Sequence, residues 1–271
     1  MSTEKYTRID LEFPVRPAVR FGWDSAPHPF LVERISADNE RYRGYLRRFQ
    51  ELDDALSRIP VDQSGEGIPC WRNDWMPALD AVSLYGFTNI LRPALYLEIG
   101  SGMSTKFVRQ AIRDQNLTTH IVSIDPHPRS DVDLICDEVV RRPLEDCDLT
   151  VFDRLQQGDI LFCDNSHRAF QNSDVTVFFT EILPRLKPGV WVGIHDIFLP
   201  HDYPEAWLRR FYNEQYLLAA WLLAGDRLQI EFPAYHCAVT AGLRADADPL
   251  LSKLHKRGAN EGAGAFWFSM R

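Results

Sequence analysis

The chain is short of cysteine, with Cys70, Cys136, Cys147, Cys163 and Cys237 the only five among 271 residues. An odd number without C-x-x-C spacing excludes a disulfide framework and a zinc knuckle, and predicts reduced thiols in ordinary packing. Long apolar runs are equally scarce. The longest, Tyr216 to Ala224, covers nine residues, against the roughly 20 that cross a bilayer, so no membrane helix is expected. The first ten residues, M-S-T-E-K-Y-T-R-I-D, lack the apolar centre of a secretory signal, and a cytoplasmic protein is expected. Positive charge is in deficit, 30 Lys and Arg against 38 Asp and Glu for a net −8. That balance argues against a nucleic-acid partner, because phosphate binding is driven by Lys and Arg that release counterions. The Arg pairs at 47–48, 141–142 and 209–210 are dispersed and read as solvated surface unless the fold gathers them. What is present, 45% hydrophobic and 25% charged residues, is the make-up of a globular domain with room for an appendage.

Residues 1–35 are rich in Pro and aromatics without helical or strand period, and read as an extended arm. From Ser36, a candidate N-cap, the apolar residues Tyr42, Tyr45, Leu46, Phe49, Leu52, Leu56 and Ile59 recur at spacings of three and four up to Pro60, which predicts one helix. Ser64, Gly65, Gly67 and Pro69 mark a loop, and hence a seam between a 1–70 arm and helix, forming a lid, and a 71–271 core. Beyond the seam, short apolar runs alternate with helical stretches. Runs at 94–99, 121–124, 139–140, 159–163, 190–194, 228–232, 237–240 and 266–269 are candidate strands, and Trp207, Phe211 and Leu217–Leu223 are assigned to one helix. The pattern predicts an α/β fold: a Rossmann-like, doubly wound, mostly parallel sheet of seven strands. Ligands of such sheets bind beyond the carboxyl ends of the strands.

Four strand ends carry chemistry. The first is Glu98-Ile99-Gly100-Ser101-Gly102-Met103-Ser104, a strand running into glycines and then a helix. Glycine admits positive φ and close backbone approach, and the helix start offers free N–H groups to a nucleotide-type ligand. A dinucleotide fingerprint would place a third glycine where Thr105 stands, and the Glu98 carboxylate would repel a pyrophosphate while suiting a cationic amino group or sulfonium. The second end is Asp125, placed to accept both hydroxyls of a ribose. The third delivers Asp164 and His167, and the fourth delivers His195 and Asp196.

With E-x-G-x-G at 98–102, an acid at Asp125, D-x-x-H at 164–167 and L-K-P-G leading to H-D at 186–196, the chain resembles the class I S-adenosylmethionine-dependent methyltransferases over about residues 90–200. Its pattern is nearest the bacterial branch of sugar- and antibiotic-tailoring O-methyltransferases. Ser104 departs from the glycine that ends the family's E/D-x-G-x-G-x-G. The resemblance implies that Gly100, Ser101, Gly102 and Ser104 bind the methionine part of S-adenosylmethionine with Glu98 near its amino group, and that Asp125 holds the ribose. It places the adenine near Arg142–Asp146 and Asp164 next to the transferring methyl.

Methyl transfer from an activated sulfonium is mainly a task of alignment and water exclusion. If the acceptor is a hydroxyl, His167 or His195 is placed to take its proton, with His127 and His201 as further loop histidines. A Mg²⁺ on Asp164 and Asp196, with His195 beside them, is the second way to activate that hydroxyl. Trp71 and Trp75 are candidates to stack on an acceptor ring or to fill the core. The expected activity is methylation of a small-molecule acceptor, with homo-oligomerisation left open. The rivals are an NAD(P)-dependent oxidoreductase and a non-catalytic module that keeps the cofactor fold.

Overall fold

One twisted sheet of seven strands organises the chain, in the order β3-β2-β1-β4-β5-β7-β6. The computed structural model describes residues 9–128 and 131–271. The strands are β1 (Leu95–Ile99), β2 (His120–Ile124), β3 (Glu138–Val140), β4 (Ile160–Cys163), β5 (Trp191–Ile194), β6 (Leu228–Pro233) and β7 (Phe266–Met270). The first five pair in parallel, and β7 enters antiparallel between β5 and β6. Strands β1, β4 and β5 are buried on both faces almost throughout, which explains continuous apolar runs in place of alternation. Ile99 pairs with both Ile124 and Cys163, and Cys163 with Ile194, so the chain segments following these residues emerge side by side at one rim.

The helices are α1 (Pro29–Ser36), α2 (Asn39–Gln50), α3 (Asp53–Arg58), α4 (Ala78–Leu91), α5 (Met103–Asp114), α6 (Asp174–Val177), α7 (Glu214–Ala224), α8 (Ala234–Val239) and α9 (Ala241–Lys256). The single helix expected over 36–59 is two, α2 and α3, with α1 ahead of them. Ser36 ends α1, its hydroxyl turned back onto the Val32 carbonyl, and Asp38 and Leu52 stand ahead of the two helices that follow. The arm thus ends at His28, because Pro29 is preorganised for a first helical turn. The apolar faces of α1 to α3 enter the same core as the sheet.

Two further expectations are corrected. The run 237–240 is not a strand: Cys237 lies in α8, a short apolar stretch that periodicity cannot distinguish from a buried strand. Trp207 and Leu217 do not share one helix either. A short 3-10 turn, Glu205–Arg210, ends where Phe211 takes a left-handed conformation (φ 54°), and α7 starts afresh at Glu214. No helix among the described residues is long and apolar enough to cross a membrane.

Candidate active site

The turn after β1 is built around Gly100. Its φ is +78°, and a Cβ there would stand 1.8 Å from the Asp164 carbonyl oxygen, so the β1 and β4 ends touch only because this residue is glycine. Gly102 differs: a Cβ there would meet no protein atom within 4 Å, and the residue lines a cavity of about 520 Å³. Space is thus kept for a ligand against this backbone. Between the glycines, the Ser101 amide donates to Asp125 Oδ2 (2.9 Å) and its hydroxyl bonds Ser123 (2.7 Å).

Glu98 lies beneath this turn, fully buried and outside the cavity lining. It accepts hydrogen bonds from the Tyr96 hydroxyl (3.0 Å) and from Thr105 Oγ1. Thr105 in turn accepts from the Gly102 amide (3.0 Å). The residue standing where a dinucleotide fingerprint would have its third glycine therefore ties the turn to the carboxylate below it. Burial pushes the Glu98 carboxyl up from 4.5 to about 7, against the hydrogen bonds of Ser104, Thr105 and Tyr96.

Asp125 lines the cavity and also accepts from the His127 amide (2.8 Å). Beyond it the wall is Pro143, Leu144 and Glu145, within the stretch expected to meet an adenine. Ser104, His127, Trp75 and Asp164 are wall residues as well. Trp71 is elsewhere: it is buried, with its indole N–H on the Leu56 carbonyl. His201 is also elsewhere, its Nδ1 hydrogen-bonded at 2.7 Å to the Tyr235 hydroxyl beside Trp23.

At the β4 and β5 ends the structure brings together Asp164, His167, His195 and Asp196. His167 Nε2 lies 3.2 Å from Asp164 Oδ1 and 3.4 Å from Asp196 Oδ2. His195 Nδ1 lies 3.6 Å and 3.5 Å from the same two carboxylates. Each ring is held from behind by a buried carboxylate, His167 by Glu214 on α7 (2.8 Å) and His195 by Asp80 on α4 (3.2 Å). Asp80 also accepts from the Gly264 and Ala265 amides, and Glu214 from Asn165 Nδ2 (2.9 Å). Sequence reasoning missed both of these acids. His167 and Asp196 take left-handed φ values of 59° and 57°, a costly conformation for such residues that tends to persist at functional sites.

The electrostatics follow from this crowding. Burial works against charge on both rings, but Asp164, Glu214 and Asp196 outweigh it at His167, and Asp196, Asp164 and Asp80 at His195, so both pKa values rise well above the usual histidine range. Burial likewise opposes ionisation of Asp164, yet His195 and His167 hold its carboxyl well below the ordinary value. Asp196 goes the other way, raised by burial and by Asp164 and Asp80 against the pull of the two rings. These groups exchange protons as a unit. Asp164, His195 and Asp196 also present one ligand atom each within 4.8 Å of one another, a donor set that fits a divalent cation.

Residues 97–197, which contain every strand end just described, match the model of a family described as a methyltransferase domain. The match covers the middle of the chain and likens that segment to a methyltransferase domain. No curated protein sequence matches it. Among solved structures, the chain is similar to the methyltransferase PaMTH1 of Podospora anserina, with 14% identity over 86% of this chain and 95% of that one and a TM-score of 0.44. It is similar also to the O-methyltransferase TomG of Streptomyces achromogenes, with 16% identity over 83% and 97% of the two chains and a TM-score of 0.43. An O-methyltransferase from Bacillus cereus gives 15% identity over 84% and 90%, with a TM-score of 0.38.

Proposed function

We propose that the chain is an S-adenosylmethionine-dependent methyltransferase that methylates a hydroxyl of a small-molecule acceptor, with the cofactor in the cavity over Gly100–Ser104 and the acceptor at the Asp164–Asp196 rim. The observation that carries this reading is the continuity of the two halves. One cavity runs from Pro143–Glu145 past Asp125 and the glycine turn to Asp164, and Asp164 is itself a member of the histidine and carboxylate group. Its volume of about 520 Å³ lies in the range of small-molecule sites.

S-adenosylmethionine, when bound, supplies a methyl group already activated by its sulfonium. The chain's own residues then have four tasks. Asp125, with one oxygen on the Ser101 amide and the other on the His127 amide, keeps lone pairs toward the cavity for the ribose hydroxyls. Glu98 is assigned to positioning: it acts on the ligand through Thr105 and the Gly102 amide, not by facing the amino group. Asp164 orients the reacting end and offers negative charge to the sulfonium. The group of Asp164, His167, His195 and Asp196, acting as one proton store, takes up the proton that leaves the acceptor hydroxyl as the carbon–oxygen bond forms and the carbon–sulfur bond breaks.

Asp164, His195 and Asp196 would hold a divalent ion if one takes part, Mg²⁺ or a later first-row ion, and such an ion would lower the pKa of the acceptor hydroxyl. Unchanged turnover after chelation would remove it from the reaction. The arm fits a lid: the Arg20 and Phe21 amides donate to Asp202 Oδ2 at 2.7 and 2.9 Å, which fastens it to the segment leaving β5. Titration calorimetry tests the cofactor assignment. Binding of S-adenosylhomocysteine and its loss in Asp125→Ala are expected, whereas binding of NAD with no heat from S-adenosylhomocysteine would overturn it.

A further inference from the structure

Next to the proposed acceptor rim stands a group of side chains that methyl transfer itself does not require. The ring of Tyr212 packs 4.7 Å from His167, and the guanidinium of Arg168 lies over the same Tyr212 ring at 4.9 Å. The Arg210 guanidinium lies 3.8 Å over Trp207 and 5.6 Å from Tyr212. Arg168 is braced by the Arg210 carbonyl (2.8 Å) and the Ser166 carbonyl (3.1 Å), and the Ala169 amide donates to Asn213 Oδ1 (2.6 Å). The loop after β4 and the segment before α7 are thereby joined, with both cations on the joint. Neither guanidinium forms an ion pair with a carboxylate among the described residues.

The two arginines rest on the faces of Tyr212 and Trp207 with no carboxylate paired to either among the described residues, so the positive charge of this joint is available to an anion. Arg168 spends its Nε and one terminal N–H on the Arg210 and Ser166 carbonyls, which fixes the plane of its guanidinium, and its remaining N–H groups together with those of Arg210 are the donors that would take a carboxylate or a phosphate. Among the arginine pairs of the sequence, Arg141 is engaged elsewhere, by Asp133, Ser123 and the Asp125 carbonyl. Arg210 is the member drawn to this joint, and its companion here is Arg168, next in sequence to His167.

We infer that the methyl acceptor carries an anionic group, a carboxylate or a phosphate, held by Arg168 and Arg210 while its hydroxyl faces the histidine and carboxylate rim. The inference rests on the proposed O-methylation and names its substrate class. A two-ended site of this kind has opposite charges at its ends. The acidic group around His167 disfavours an anion there, and the arginines attract one, so the acceptor is admitted in one orientation.

The test is calorimetry on the full chain saturated with S-adenosylhomocysteine, titrated with inorganic phosphate, with salicylate and with neutral salicylamide. Phosphate is expected to bind, and salicylate to bind at least about tenfold more tightly than salicylamide. The Arg168→Gln, Arg210→Gln double variant should lose both effects while keeping its S-adenosylhomocysteine affinity and thermal midpoint, and the corresponding Lys double variant should retain part of the phosphate binding. Equal binding of salicylate and salicylamide, no binding of either anion, or undiminished binding in the Gln double variant each overturn the inference. Failure of the wild type to bind S-adenosylhomocysteine overturns the cofactor assignment instead, and the anion titrations are then read on the free protein.

Discussion

Glu98→Gln separates a carboxylate that shapes the cofactor turn from one that contacts the cofactor. In the folded chain burial lifts the Glu98 carboxyl from 4.5 to about 7, so between these values the folded state holds a proton that the unfolded state has released. Stability must then fall as pH rises through this window and level off above about 7. A pKa displaced by one pH unit corresponds to about 1.36 kcal/mol. At pH 5 the unfolded glutamate is already largely ionised, and by about pH 8.5 the full penalty of roughly 3 kcal/mol applies, leaving about 2.5 kcal/mol of change across the measured range. Glutamine never ionises and matches glutamate in size; its Oε1 accepts from one of the Tyr96 and Thr105 hydroxyls, and the other must turn to accept from its NH2, a cost that does not vary with pH. Urea unfolding of wild type and variant at several pH values measures the difference. It should grow in favour of the variant by about 2.5 kcal/mol from pH 5 to 8.5, and S-adenosylhomocysteine affinity should be nearly unchanged. A difference that does not vary with pH refutes the account of the buried carboxyl, and a large loss of affinity refutes its role as a positioning residue.

Gly100→Ala places a methyl group against the Asp164 carbonyl at positive φ and should destabilise the fold by about 2–5 kcal/mol in urea unfolding. Gly102→Ala meets no protein atom and should change stability by about 1 kcal/mol or less, yet lower S-adenosylhomocysteine affinity about tenfold or more; equal behaviour of the two variants would contradict the proposed cradle. Asp80→Ala removes the acceptor of the Gly264 and Ala265 amides and strands the His195 ring, for an expected cost of about 3–5 kcal/mol, which a measured loss under about 1 would refute. His236 is expected to act on stability in the opposite sense to Glu98. Burial lowers it from 6.5 to about 4, so the stability it contributes is present above 6.5 and lost as pH falls toward 4, by up to about 3 kcal/mol; His236→Gln should remove that slope, and an unaltered acid limb would refute it.

Much of the site was legible because a parallel sheet puts its chemistry where apolar runs stop. Ile99, Ile124, Cys163 and Ile194 end four such runs, and their register in the sheet brings to one rim residues as far apart in the chain as Ser101 and Asp196. What lies behind the rim was not legible in that way. Asp80 reaches His195 from α4 and Glu214 reaches His167 from α7, and neither helix carries a motif. Asp80 does leave a trace: an acid among Met76, Ala78, Leu79, Ala81 and Val82 is a charge in an apolar stretch, and such a charge must have a partner. Glu214 leaves none, since an acid in a first helical turn is already accounted for by the helix dipole. The helix expected over 36–59 is too long because spacings of three and four continue from Phe49 through Leu52 to Leu56, across the break between α2 and α3, where no Gly or Pro marks the end of a helix.

The charge of the rim gives the sharpest constraint on what completes it. Glu214, Asp164, Asp196 and Asp80 face only two imidazoles, so even with both rings protonated the group keeps an excess of two negative charges when all four carboxyls are ionised. The interior does not tolerate this freely, and burial accordingly raises the Asp196 and Glu214 carboxyls toward retaining protons. A cation beside Asp164 changes the balance. In the proposed binding mode a sulfonium would supply one positive charge at the cavity side of Asp164, and a divalent ion on Asp164, His195 and Asp196 would supply two while displacing the proton on His195. Either arrival lets the rim release a proton, and each does so at the point where the acceptor hydroxyl must lose its own. Under the proposed function, proton uptake by the rim and cofactor binding at the glycine turn would therefore be linked through one carboxylate, Asp164. Asp164→Asn should weaken that link as well as turnover: calorimetry of S-adenosylmethionine binding in buffers of different ionisation enthalpy should show protons released by the wild type and fewer by the variant, and equal release by both would break the connection between the two halves of the site.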